Sequence, residues 1–159
     1  MARCGIRRGG RPMKGRMIVN VLRVALALVF VAAAVHKIYD PEAFALAVFR
    51  YHVLPDTWIN ATAITLPWIE LVAAAALVGP TRYADAAAWV IAALLAAFTA
   101  AILFNLWRGL DVACGCFAAG SEAAAAGWFH VGRNGVLMGA AVCVAVWTSR
   151  ACAGKRVAA

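Results

Sequence analysis

Cys114-Gly115-Cys116 is the part of this chain whose residue types and spacing most directly offer chemistry. Two cysteines separated by one glycine reach the roughly 5.5 Å between α-carbons that a disulfide needs only through a tight turn, which glycine tolerates. The small ring so closed is strained, and strained, exposed disulfides are the exchangeable kind, suited to passing electrons. A redox-active dithiol with Cys114 and Cys116 as the reacting residues is the leading expectation. Two other readings stay open, a structural disulfide and half of a metal site completed by His36, His52 or His130. Metal sites usually space paired cysteines by two or more residues, and the sequence holds no second such pair. Cys143 reads as a small core residue within a helix, and Cys4 and Cys152 as free thiols in the tails.

Two polar groups accompany the thiols. His36, Lys37 and Asp40, then Asn105 and Arg108, then Arg133 and Asn134 all fall near the ends of apolar stretches that meet one membrane face. Together they can surround the cysteines, and cations there favour the thiolate that performs exchange, or hold a quinone headgroup. The plainer reading is side chains snorkelling from solvated helix ends, and Lys37 and Arg50 fit it best. Separately, Glu70 lies deep in an apolar stretch, where a carboxylate is costly and must be neutral, paired or facing a polar cavity. Arg23 is the expected partner, either in a structural ion pair or in a proton or quinone role, with Pro67 freeing a nearby carbonyl.

The elements that position these groups are transmembrane helices. Hydrophobic residues make up 65% of the 159, charged residues only 14%, and mean hydropathy is +0.83, far from a soluble domain. The charges cluster between uncharged stretches near the length of about 20 residues that crosses a bilayer. Four spans are expected, Met17 to Ile38, Trp58 to Gly79, Tyr83 to Trp107 and Trp128 to Thr148. A basic tail (1–16) precedes this membrane domain (17–148), and a second tail (149–159) follows. Between the first two spans, Pro41 to Pro55 is too short to cross. It reads as an interfacial helix burying Phe44, Val48, Phe49 and Tyr51. Gly135, Gly139 and Cys143, at successive i+4 positions, offer a surface for close helix packing.

Cations give the orientation. The first tail carries Arg3, Arg7, Arg8, Arg11, Lys14 and Arg16, the middle turn Arg82, and the last tail Arg150, Lys155 and Arg156. Opposite them stand Lys37, Arg50, Arg108 and Arg133, diluted by Asp40, Glu42, Asp56, Asp111 and Glu122. Both termini are therefore expected in the cytoplasm and the Cys-Gly-Cys loop on the oxidising side of the inner membrane, where disulfides persist. A cleavable signal peptide ending near Val31-Ala32-Ala33-Ala34 is the competing reading of the first span. The net charge of +8 does not imply nucleic acid, because no basic stripe interleaves with stacking aromatics. The lipid bilayer is the expected partner of the basic tail.

The ordered motifs His36-Lys37-Ile38-x-Asp40-Pro41-x-x-Phe44, Tyr51-x-x-Leu54-Pro55, Leu66-Pro67-Trp68-x-Glu70, Asn105-x-x-Arg108-Gly109, Cys114-Gly115-Cys116-Phe117 and Arg133-Asn134 resemble the MauE (methylamine utilisation) family of DoxX-like membrane proteins. The resemblance covers about residues 17 to 148. It implies a four-helix membrane protein engaged in maturing a disulfide-rich periplasmic dehydrogenase subunit, with relatives linked to quinone-coupled sulfur oxidation and thiol homeostasis. Ala118 departs from the family's usual Cys-Gly-Cys-Phe-Gly. The function expected is a membrane thiol-disulfide redox or maturation factor acting on a periplasmic thiol protein, with a quinone as the one cofactor in view. The alternative is a non-catalytic membrane anchor or chaperone-like subunit.

Overall fold

The computed structural model describes residues 13–52, 55–108 and 128–156, the side chains of Arg82 and of 151–156 excepted. Its elements are α1 (Met13–Tyr39), α2 (Pro41–Arg50), α3 (Asp56–Val78), α4 (Thr81–Trp107) and α5 (Trp128–Arg156). Four segments, Met13–Tyr39, Asp56–Val78, Tyr83–Trp107 and Trp128–Arg150, are long and apolar enough to cross a membrane. The chain is an all-α, multi-pass membrane protein. Four successive crossings bring the start of α1, the α3–α4 turn and the end of α5 to one face, here the terminal face. The other, the loop face, carries α2, the end of α4 and the start of α5.

Around the bundle α1 packs on α3, α3 on α4, α4 on α5 and α5 back on α1, while α2 packs chiefly on α3. The interior is small-residue packing: Ala73, Ala74, Ala84, Ala87, Ala88, Ala141 and Ala145 are buried, with Leu26, Phe30, Leu77, Ile91 and Val144 filling between them. Lipid gives helices no hydrophobic reason to associate, so close backbone approach through alanine supplies the dispersion contact. Val21, Leu28, Ile64, Val72 and Val136 point outward, as side chains bathed in hydrocarbon do.

Several expectations are corrected here. The Gly135–Gly139–Cys143 stripe does not pack the bundle: all three residues are exposed, and a Cβ on either glycine would meet nothing within 4 Å. Ala141, Val144, Ala145 and Thr148 form the inward face of α5 instead. Close approach to a glycine occurs at Gly15, where a Cβ would lie 2.7 Å from the Trp147 ring. The helices also overrun the expected spans, α1 beginning at Met13 and α5 continuing to Arg156 through much of the last tail.

Helix ends show why the breaks fall where they do. The Asp40 carboxylate accepts a hydrogen bond from the Ala43 N–H at 3.0 Å and Pro41 occupies the first turn, so α1 stops and α2 starts within one residue. Gly79-Pro80 ends α3, and Arg23 of α1 donates to the Leu77 and Gly79 carbonyls at 2.8 and 2.7 Å. That guanidinium satisfies carbonyls that the helix leaves orphaned and meets the negative end of its dipole. Asp85, near the start of α4, accepts from Ser149 at 2.8 Å and from Thr148 at 3.3 Å, joining α4 to α5.

Candidate functional site

Every side chain on a helix leans toward that helix's N-terminus. On α1, which runs from the terminal face to the loop face, side chains lean toward the terminal face. On the antiparallel α3 they lean the other way. Lys37, two residues from the end of α1, and Glu70, eight residues before the end of α3, therefore reach toward each other along the bundle axis. Lys37 Nζ meets Glu70 Oε1 at 2.5 Å, with Lys37 2% and Glu70 1% exposed. The same geometry excludes the expected Arg23–Glu70 pair, because Arg23 leans away from Glu70 and onto the carbonyls closing α3.

Lys37 is accordingly not a snorkelling lysine. Its ammonium sits 5.0 Å from the Phe44 ring centroid on α2 and 4.9 Å from that of Phe98 on α4. One cation thus touches α2, α3 and α4 from α1. The ring faces supply negative quadrupole on sides where Glu70 does not reach, worth about 0.5–2 kcal/mol per contact when desolvated. Among the described residues nothing donates to Glu70 Oε2, which is also buried.

The polar residues near the loop face divide by helix face. His36, one residue and about 100° before Lys37, is exposed, as is Arg108, whose guanidinium lies 5.4 Å from the Phe104 ring. Asn105 is fully buried; its amide donates to the Tyr51 carbonyl at 3.2 Å and to the Ala101 carbonyl at 3.0 Å, while among the described residues nothing donates to its Oδ1. Asn134 is buried and Arg133 half-buried on the second turn of α5. Lys37 and Glu70, read separately from the sequence, come together, and Asn105 is joined to the end of α2. Cys114 and Cys116 lie outside the described residues, as do Cys4, Asp111, Ala118 and Glu122. Among the described residues no three His, Cys, Asp or Glu side chains group as metal ligands.

Phe98, the Tyr51 carbonyl and the Asp85–Ser149 contact were not read from the sequence. Phe98 stands in an apolar run without any mark of its own, and a backbone carbonyl carries no residue signal. Asp85, the fifth residue of α4, lies past the first turn, where an acid is no longer marked by the helix dipole.

Residues 15–148, which include Lys37, Glu70 and Asn105, match the family model described as methylamine utilisation protein MauE. The chain belongs to the MauE family. It is 41% identical over 130 residues to a methylamine utilization protein MauE of Paracoccus denitrificans, covering 81% of this chain and 69% of that one. A MauE of Methylophilus methylotrophus is 38% identical over 121 residues, covering 76% of this chain and 63% of the relative. That of Methylorubrum extorquens is 34% identical over 119 residues, with 63% of its length covered. The match thus spans about two thirds of the length of these relatives. No solved structure matches. Within this MauE chain the matched stretch takes in Lys37, Glu70, Asn105, Asn134 and both cysteines of Cys114-Gly115-Cys116.

Proposed function

We propose that this MauE-family protein is a thiol-disulfide redox and maturation factor of the inner membrane, serving methylamine utilisation, with both termini cytoplasmic. The observation that carries the reading is Cys114-Gly115-Cys116 within the family match, in the connection between α4 and α5. That connection joins helix ends at the loop face, opposite the face where the basic tails depart. Tails rich in Lys and Arg stay cytoplasmic, which supports an oxidising location for the two sulfurs.

In the exchange, a thiolate of a periplasmic protein attacks the Cys114–Cys116 disulfide, forming a mixed disulfide and releasing one cysteine as thiolate. A second thiol of that protein then resolves the bond, so the substrate is oxidised by two electrons and the Cys114–Cys116 pair is reduced. A disulfide carrier reverses the step on the pair. No step is routed through a quinone; Lys37 and Asn105 hold partners within the bundle, and His36 and Arg108 are exposed on α1 and α4.

Replacing Cys116 with serine leaves Cys114 as a thiolate that attacks the disulfide carrier and, with no second cysteine to resolve the bond, should stay trapped in a mixed disulfide that reductant releases. If no adduct forms, and the Cys114→Ser/Cys116→Ser protein still supports growth on methylamine, the anchor reading takes its place.

A further inference from the structure

The exchange chemistry makes no use of the buried charge pair, yet Lys37 reaches three other helices. α2 has ten residues and fully buries only Phe44 and Ala47. A helix that short is marginal by itself, so docking keeps it helical. Its first turns rest on Lys37 through Phe44, and its end rests on Asn105 through the Tyr51 carbonyl.

We infer that Lys37 and Glu70 are positioning residues that hold α2 on the bundle and, on the thiol-exchange reading above, fix α2 and the last turn of α4 in the arrangement from which exchange proceeds. Glu70 holds the ammonium where it faces both rings. Without Glu70 the ammonium loses the partner that fixes it between the two rings, and the Phe44 contact is no longer held. Asn105 ties the other end of α2 to α4, so displacement of Phe44 is passed to the helix from which the cysteine-bearing connection departs.

The test is hydrogen–deuterium exchange of the full chain in lipid nanodiscs, read by mass spectrometry. Because Lys37→Met alone strands Glu70, the deciding variant is Lys37→Leu/Glu70→Leu, which leaves no buried charge and ends two atoms short of the rings. In this double variant the amides of residues 43–50 should exchange at least about tenfold faster, those of the last turn of α4 should follow, and α3, α5 and the rest of α4 should keep their rates. Lys37→Arg, whose guanidinium can still face the rings and Glu70, should keep the native pattern. Unchanged protection of α2 in the double variant, or acceleration spread evenly over all helices, overturns the inference. The yield of the Cys116→Ser adduct should fall in the double variant and be retained with Lys37→Arg; an unaltered yield overturns the link to exchange. If Cys116→Ser traps nothing with Lys37 and Glu70 intact, the thiol-exchange reading fails, and the exchange rates of α2 still decide its docking.

Discussion

Lys37 and Glu70 are separated by 33 positions in the chain and by 2.5 Å in space, and they meet because they stand on antiparallel helices whose side chains lean in opposite directions. The pair carries no net charge into the bilayer. Breaking it from one side leaves the other charge without compensation.

Glu70→Leu alone should therefore destabilise the bundle by about 3–5 kcal/mol, the usual cost of stranding a buried charge. Adding Lys37→Leu should recover most of that loss, since a buried pair is often replaceable by apolar residues of similar volume. Thermal unfolding in a mild detergent, monitored by circular dichroism, checks both. A double variant no more stable than Glu70→Leu contradicts the pairing.

The glycines separate sharply. Gly15→Ala should cost about 1–3 kcal/mol by driving a methyl against the Trp147 ring, and Trp147→Leu in the same chain should relieve it. Gly135→Ala and Gly139→Ala meet only open space and should be neutral or stabilising by up to about 1 kcal/mol through helix propensity. Unfolding midpoints of the variants, compared in one detergent, give the order.

Asn105→Leu removes the donor that serves the Tyr51 carbonyl and should cost about 1–3 kcal/mol. Asn105→Asp should do worse, because a carboxylate cannot donate to the two carbonyls and an uncompensated buried charge appears. Unfolding midpoints, together with proteolysis after Tyr51 as a local readout, distinguish them.

Arg23→Met should uncap α3 and lower stability by about 1–2 kcal/mol, with increased amide exchange confined to the last turn of α3. If the loss were instead centred on Glu70, the expected Arg23–Glu70 pair would have been the right one.

Much of the architecture was legible because spans announce themselves: long uncharged runs between charge clusters mark all four crossings, and Asp40-Pro41 marks the start of α2. The wiring inside the bundle was less legible. The expected pairing of Arg23 with Glu70 left out side-chain direction: Arg23 and Lys37 each extend a long side chain toward the terminal face, so the residue nearer the loop face is the one that arrives. Gly135, Gly139 and Cys143 have the spacing of a packing stripe, and spacing does not say which side of α5 faces inward; the partners Ala141, Val144 and Ala145 do. The chemistry of Cys114 and Cys116 rests on sequence and family.

The order of synthesis gives the Lys37–Glu70 contact a temporal side. The ribosome makes the lysine first, so α1 meets the insertion machinery with an ammonium whose counter-charge has not yet been translated. Until α3 is made, that ammonium has no buried counter-charge to meet. α1 therefore cannot complete its own neutralisation: the contact becomes available only after Glu70 of α3 has been made.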